Sequence, residues 1–241
     1  MKGDADVAAA AALLAEPTRA ALVLAVMEQG ALPASELASR AGIAASTASE
    51  HLARLVDGRF MVVDKNGRHR YYDLADAAVA EAVEALSRVA PQRPVRTLRE
   101  ATRSELIREA RTCYDHLAGR LGVALARGLE RKGVLASQDG ALIIGPRARP
   151  RLAALDIDLE EIAGQRRPLV RGCLDWSERE LHLAGALGAA IATRLFELGW
   201  IARREANRSV AVTMAGRDLL RSQLGVDLDG DVEASPPPSS S

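Results

Sequence analysis

The sequence contains few cysteines, few aromatic residues and no net charge. Of its 241 residues, 2 are cysteine and 3% are aromatic, and 32 Lys and Arg residues balance 32 Asp and Glu residues. Two cysteines cannot build the disulfide scaffold of a small secreted domain. The scarcity of aromatic residues leaves Ala, Leu and Val to form the core, which favours closely packed helices. Because the net charge is zero, any attraction for a polyanion must come from local charge.

The N-terminal residues do not resemble a signal peptide, and the sequence has no long hydrophobic run. The Ala-rich stretch from Ala8 to Ala15 has neither the basic flank nor the length of an export or membrane segment. We therefore expect no membrane contact and a reducing, cytoplasmic setting. The length allows one large domain or two ordinary domains, each able to bury a core.

The most informative stretch lies between Ser35 and Tyr72. Apolar residues follow a helical period before Gly42 and again from Ala45 to Leu55, which predicts a helix, a tight turn and a helix. Two strand-like runs then flank Asn66-Gly67, and this dipeptide favours a β-hairpin. The combination predicts a winged helix-turn-helix, whose second helix can enter the DNA major groove while the wing touches the backbone.

Polar and basic side chains of this stretch suit contact with DNA. Hydroxyl groups at the start of a helix can bond to base edges or phosphates, and cations at a wing tip suit phosphates or the minor groove. Glu50 could instead pair with Arg54 on its own helix, and His51 could be a packed histidine. The predicted DNA-binding residues are Ser46, Thr47, Ser49, Glu50, His51 and Arg54 on the helix, and Lys65, Arg68, His69 and Arg70 on the wing.

Three segments, taken in order, carry a resemblance to a known family. LLAEPTRAALVLAVMEQG, SELASRAGIAASTASEHLARL and GRHRYYDL resemble the ArsR/SmtB family of bacterial winged-helix repressors, over residues 8–90. The resemblance implies a homodimer built by the first helix and the helix after the wing, which leaves its operator when an effector binds. The apolar stripe between Ala75 and Val89 suits such a dimer helix.

The resemblance does not extend to two metal sites of that family. Metal-sensing members often carry a cysteine pair on the helix that here spans Ser35 to Arg40, or Asp and His ligands on the helix that here spans Ala75 to Val89. This sequence has no Cys in the first stretch and no His in the second. The family therefore does not indicate which effector this protein binds.

The second half of the chain repeats itself. When the sequence is shifted by 66 residues, ten of the twenty positions starting at His116 are identical to those starting at His182, including three Gly pairs. Each repeat is predicted to be a helix, a hairpin and a helix, over residues 105–157 and 171–226. The small residues predict that the two repeat helices pack on each other about a pseudo-twofold axis.

The whole chain is predicted to be mainly α with small β-hairpins: a winged helix-turn-helix (1–90), a stiff linker (91–94), a duplicated effector or dimerisation domain (95–228) and a disordered tail (229–241).

The two cysteines precede the repeated segments and are candidates for a site. A pseudo-twofold could bring together Cys113, Asp115, His116, Cys173, Asp175 and His182, a set able to hold a transition metal such as zinc or nickel, although the spacing matches no known finger. A thiol switch of the two cysteines is a further alternative. A small organic effector in a pocket lined by Tyr114, His116, Trp176 and His182 is another. Purely structural roles for these side chains also remain open.

The sequence leaves two other classes of function as alternatives. An enzyme could use Cys113 or Cys173 as nucleophile and His116 or His182 as base, but no accompanying motif supports this. A protein-interaction module on a winged-helix scaffold is possible, but the basic wing argues against it. We therefore predict a non-enzymatic DNA-binding transcriptional regulator, a homodimeric repressor of a pseudo-palindromic double-stranded operator, with its effector bound in the second half.

Overall fold

The computed structural model describes residues 4–67, 69–91, 94–204 and 208–228. These residues divide into two compact units, the first extending to Ser87 and including Arg208, the second beginning at Arg88. The predicted disordered tail (229–241), Arg68 of the predicted wing, and Gln92 and Arg93 of the predicted linker lie outside the described residues.

The first unit contains five helices and a three-stranded antiparallel sheet within its described part. The elements are α1 (Val7–Leu14), α2 (Pro17–Gln29), β1 (Leu32–Pro33), α3 (Ala34–Ala41), α4 (Ala45–Asp57), β2 (Met61–Asn66), β3 (His69–Leu74) and α5 (Ala77–Val89). The strand order is β1-β3-β2, with Leu32 opposite Tyr72 and Lys65 opposite Arg70. This arrangement is a winged helix-turn-helix, as predicted.

Local chemistry explains where these helices begin and end. Pro17 occupies the first turn of α2, where its missing N–H costs nothing, and the Glu16 carboxylate accepts bonds from the next free backbone N–H groups. Gly42 ends α3 in the left-handed conformation, at φ 66°. Leu22, Leu37 and other apolar side chains from α2, α3 and α4 form a buried core that holds α4 in place.

The second unit shows the order hairpin, 13-residue helix, hairpin and helix twice. After α6 (Leu98–Glu109), the first series is β4 (Arg111–Cys113), β5 (His116–Ala118), α7 (Gly119–Arg131), β6 (Leu135–Gln138), β7 (Ala141–Ile144) and α8 (Ala148–Ala153), followed by the short helix α9 (Leu159–Ala163). The second series is β8 (Arg171–Leu174), β9 (Leu181–Ala184), α10 (Gly185–Glu197), β10 (Ile201–Arg203), β11 (Val210–Val212) and α11 (Met214–Leu224).

The sequence did not predict the first hairpin of each series. The repeated segments were expected to be helical from His116 and His182, but these histidines lie in strands. The helices begin three residues later, at Gly119 and Gly185, whose φ angles of 74° and 86° favour glycine. Each glycine lets a strand turn directly into a helix.

The small residues of α7 and α10 pack against hairpins. Helix α7 packs on β9, and α10 packs on β5. A Cβ on Gly122 would lie 2.5 Å from the Leu117 carbonyl oxygen, and one on Gly188 would lie 2.6 Å from the Leu183 carbonyl oxygen. The predicted use of these glycines in helix–helix packing is therefore corrected: they allow helices to approach strands closely.

No single helix among the described residues has both the length and the apolar character needed to cross a membrane. Helices α1 and α2 reach that length and composition only together, and the chain bends by 85° between them.

Candidate nucleic-acid interface and Cys-His site

Helix α4 has a buried apolar face and an exposed polar face. Ala48, Leu52 and Leu55 are completely buried. The helical period therefore places the intervening polar side chains outside. The exposed residues of the predicted DNA-binding set on this helix are Ser46, Thr47, Ser49, Glu50 and Arg54.

Two residues of the predicted set also make contacts within the first unit. The Ser49 hydroxyl donates a hydrogen bond of 2.9 Å to the Ala45 carbonyl oxygen. The half-buried His51 has Nδ1 3.5 Å from a carboxylate oxygen of Glu16, which caps α2. His51 therefore lies close to the start of α2, consistent with the alternative of a packed histidine.

The wing presents cations from both of its strands. Lys65, His69 and Arg70 are exposed. Lys65 lies directly opposite Arg70 across the hairpin. Like charges in this position repel each other, so an anion bound at the wing would relieve an unfavourable interaction. Because the chain has no net charge, its binding to a polyanion requires a local concentration of positive charge, and the wing provides one.

In the second unit, both cysteines and two of the four histidines of the chain come together. Cys113 is opposite His116 in the β4–β5 hairpin, and Cys173 is opposite His182 in the β8–β9 hairpin. One ligand atom from each of the four side chains lies within 4.8 Å of the others. The two Nε2 atoms are 3.2 Å apart. We call this group the Cys-His cluster.

The two predicted aspartates lie behind the histidines. Asp115 Oδ1 is 3.2 Å from Nδ1 of His116, and Asp175 Oδ2 is 3.1 Å from Nδ1 of His182. Because Nδ1 and Nε2 are on opposite sides of the imidazole ring, these carboxylates orient the rings while the Nε2 atoms face each other. The six predicted metal ligands therefore separate into four clustered atoms and two orienting carboxylates.

Asp175 is held by groups from several elements. Both of its oxygens accept a 2.9 Å hydrogen bond from the Arg111 guanidinium, and Oδ2 accepts one of 2.7 Å from the Gly119 N–H at the start of α7. Its Oδ1 accepts from the Ser177 N–H and hydroxyl. Asp115 is similarly paired with Arg167. The carboxylate beside His182 is thus held by a fully buried ion pair, and the carboxylate beside His116 by a partly buried one.

These contacts shift protonation equilibria. Burial alone would raise the pKa of Asp175, but His182, the Arg111 charge and the Gly119 N–H hold that pKa far below its usual range. Burial alone would lower the pKa of His182, but Asp175 and Cys173 raise it. A hydrogen bond from Cys113, together with the two histidines, lowers the pKa of Cys173 far below its ordinary value despite burial. These shifts favour the charged forms of three neighbouring groups: the Cys173 thiolate, the protonated His182 imidazole and the Asp175 carboxylate.

Tyr114 and Trp176 complete the set predicted to line an organic pocket. Tyr114 is in the β4–β5 turn with φ 60°. The Arg111 guanidinium lies over the Trp176 ring, with Cζ 4.8 Å from the centroid of that ring. The rings of His116 and His182 are 5.1 Å apart, centroid to centroid. That separation leaves no room for an organic molecule between the two histidines.

Arg111 and Arg167 were missed by the sequence reasoning. A signal for Arg111 was present, since the pattern Arg-x-Cys-x-Asp occurs at 111–115 and again at 171–175. The shift between these two copies is 60 residues, whereas the histidines are shifted by 66, because the second hairpin has a longer loop. In the alignment that matches the histidines, the two copies of Arg-x-Cys-x-Asp are therefore six residues out of register.

Comparison with known proteins places the chain among regulators. The family model of a helix-turn-helix domain matches residues 14–64. A curated protein of Bacillus subtilis (strain 168), described as the HTH-type transcriptional regulator YdfF, is 39% identical over 223 residues, covering 92% of this chain and 99% of the relative. The chain belongs to the HTH-type transcriptional regulators. The matched domain falls inside the 8–90 segment that resembles the ArsR/SmtB family.

Solved structures resemble part of the regulator. The transcriptional repressor BigR from Xylella fastidiosa is 27% identical and covers 36% of this chain and 89% of its own, with a TM-score of 0.33. The homodimeric winged helix-turn-helix domain of Mb0332 from Mycobacterium bovis, a possible ArsR-family regulator, is 29% identical, covering 37% and 88% with a TM-score of 0.31. The cadmium sensor CMTR from Mycobacterium tuberculosis is 29% identical, covering 38% and 99% with a TM-score of 0.30.

The predicted function, a DNA-binding transcriptional regulator, is confirmed by the family match and by the relative.

Proposed function

We propose that the regulator is a homodimeric repressor that binds a pseudo-palindromic operator and leaves it when an effector binds in the second unit. The observation that carries this proposal is the exposed polar face of α4 beside a wing that presents like charges on opposing strands. In this proposal α4 enters the major groove and the wing contacts the flanking backbone. Two copies would then read half-sites about one helical turn apart.

The dimer is supported by apolar surface on the first unit. Helix α1 is almost wholly apolar, yet none of its residues is buried. Val7 is 73% exposed, and Leu86 on α5 is 47% exposed. Apolar surface of this kind favours association. A second copy that covers α1 and α5 would bury these side chains, as the family resemblance implies.

The second unit is proposed to be a duplicated effector domain. The repeated order of elements and the equivalent Cys–His pairs in β4–β5 and β8–β9 support a duplication. The Cys-His cluster supports binding of an effector rather than catalysis, because its atoms face one another with no space for an organic substrate between the histidine rings. We further propose that the regulator acts in the cytoplasm, where its operator is accessible.

Binding of the full-length protein to the DNA upstream of its own gene tests this proposal. We expect a gel shift that survives excess random DNA and a footprint of two half-sites about one helical turn apart. The affinity should fall steeply with salt, because phosphate contacts supply most of it. Equal binding to the upstream DNA and to random DNA of the same length would contradict an operator-binding function.

A further inference from the structure

We infer that Cys113, His116, Cys173 and His182 form a tetrahedral site for one metal ion of the Zn²⁺ class. The site lies entirely in the second unit. It is distinct from the two metal sites of the family resemblance, whose positions fall in the first unit and lack the required residues.

The distances fit a single ion at the centre of the cluster. Zn²⁺ binds imidazole nitrogen at about 2.0–2.1 Å and thiolate sulfur at about 2.3 Å, so tetrahedral coordination separates two nitrogens by about 3.3 Å and two sulfurs by about 3.8 Å. The Nε2 atoms of His116 and His182 are 3.2 Å apart, and all four ligand atoms lie within 4.8 Å of one another. Coordination therefore requires only small movements of side chains.

The hydrogen-bonding pattern also indicates a cation at this position. Each Nδ1 lies within 3.2 Å of a carboxylate oxygen, which can only accept a hydrogen bond, so each carboxylate favours the tautomer with the proton on Nδ1. In a neutral imidazole the lone pair is then on Nε2, and here the two Nε2 atoms point at each other. Two lone pairs at this distance repel unless a cation or a proton lies between them. A metal ion would bind both, and the Asp–His–metal arrangement is the usual support of a metal-bound histidine.

The ligand set selects the metal. Thiolate and imidazole ligands suit Zn²⁺ and similar ions, whereas Mg²⁺ and Ca²⁺ require oxygen ligands. Four protein ligands fill a tetrahedral shell and leave no position for a substrate, which is typical of structural rather than catalytic zinc.

The position of the ligands suggests what the ion does. Each hairpin supplies one Cys and one His, so the ion would join the two series of elements in the second unit. Binding to the folded form alone stabilises that form. A role for this ion as the effector rests on the proposed function, whereas metal binding itself does not.

Titration of the reduced, untagged full-length protein with Co²⁺ tests the site. We expect one ion per chain, a thiolate-to-cobalt charge-transfer band, and intense visible bands of tetrahedral cobalt that Zn²⁺ abolishes. Cys113→Ser or His182→Gln should lower the affinity by more than about 100-fold, since even an outer partner contributes 10–100-fold. His69→Asn, on the exposed wing, is the matched control and should bind as wild type. Undiminished tetrahedral binding in Cys113→Ser, or no binding by wild type, would overturn the inference.

A variant that keeps all four ligands distinguishes loss of metal binding from loss of the fold. Asp115→Asn keeps all four ligands and should lower Zn²⁺ affinity about 10–100-fold while the helical circular dichroism is unchanged. In native mass spectrometry, Zn²⁺ should add to wild type and protect both cysteines from alkylation. Formation of a Cys113–Cys173 disulfide together with failure to take up Zn²⁺ after reduction would instead establish a thiol switch and overturn the metal site.

Operator binding with and without Zn²⁺ separates the two proposals. A change in wild-type operator affinity that Cys113→Ser lacks supports the ion as effector. Tetrahedral metal binding with no change in operator affinity overturns the effector role and leaves the site intact. Absence of operator binding in both states contradicts the proposed function, while the cobalt spectrum still supports or overturns the site independently.

Discussion

Arg111 and Asp175 form an ion pair in which neither side chain is exposed to solvent. Two hydrogen bonds of 2.9 Å join the guanidinium on β4 to the carboxylate just after β8, so the pair connects the two hairpins that carry the Cys-His cluster. Removing one member of a buried pair leaves an uncompensated charge in a medium that solvates it poorly.

Asp175→Asn should therefore destabilise the second unit. We expect a loss of about 3–5 kcal/mol in the free energy of unfolding, the range found when a buried pair is broken. Both tryptophans of the chain, Trp176 and Trp200, belong to this unit, so urea unfolding followed by tryptophan fluorescence reports it selectively. Glu160→Gln, which breaks the exposed pair with Arg149, is the control and should leave the midpoint unchanged. A similar midpoint in both variants would disprove the role assigned to Asp175.

Gly188→Ala should also destabilise this unit. The new Cβ would lie 2.6 Å from the Leu183 carbonyl oxygen and 3.3 Å from Cβ of His116, so α10 must move away from the hairpins. Overpacking of this kind costs about 1–3 kcal/mol. Gly164→Ala meets its nearest neighbour at an ordinary 3.4 Å and should change stability by less than about 0.5 kcal/mol. Urea unfolding followed by tryptophan fluorescence measures both changes in stability. Equal effects of the two substitutions would refute the close approach of Gly188 to the hairpins.

Arg70→Ala should weaken binding to every DNA sequence. A wing cation that contacts phosphate contributes without regard to base sequence, so its removal should reduce the slope of log affinity against log salt by about 1. Fluorescence anisotropy with operator and random duplexes measures both quantities. Arg149→Ala, which removes an exposed cation of the second unit, should leave the slope unaltered. A loss confined to the operator would instead make Arg70 a base-reading residue.

Thr47→Ala should reduce discrimination between sequences. Thr47 is exposed early in α4, where a hydroxyl can reach base edges. We expect the operator affinity to fall by about 1–3 kcal/mol while random DNA is bound as before. Competition binding with the two duplexes measures the ratio, and an equal loss on both would show that Thr47 contacts only the backbone.

Leu86→Glu should shift the protein from dimer to monomer. Leu86 on α5 is 47% exposed in the single chain, and a charge there would oppose burial of α5 by a second copy. Light scattering after size-exclusion chromatography gives the mass. Met214→Glu, at a 93% exposed position in the second unit, should keep the wild-type mass. If Leu86→Glu also keeps that mass, α5 is not the dimer helix.

The winged helix could be predicted from sequence because its signals are local. Gly42 between two apolar helical stripes and Gly67 at the wing tip each determine a turn by their own backbone freedom. The apolar period of α4 likewise determines which of its residues face outward, so the exposure of Thr47 and Arg54 follows from the sequence.

The Cys-His cluster could be predicted only as a possibility, because long-range packing creates it. Its hairpins have strands of three or four residues, too short for a clear alternating pattern. The β4–β5 turn uses Tyr114 at positive φ where a turn motif would have Gly or Asn. Two intervening residues separate Cys113 from His116, but eight separate Cys173 from His182, so no single spacing motif describes both pairs.

Each hairpin contributes one Cys and one His at facing register positions, which is half of a four-ligand set. A unit with one such hairpin could complete the set only by meeting a second copy, and its affinity for metal would then depend on protein concentration. When one chain carries both hairpins, the two halves of the ligand set meet within the same molecule. Their effective concentration is then fixed and high. A tandem arrangement of this kind would allow a regulator present at a few copies per cell to hold its ion as firmly as an abundant one.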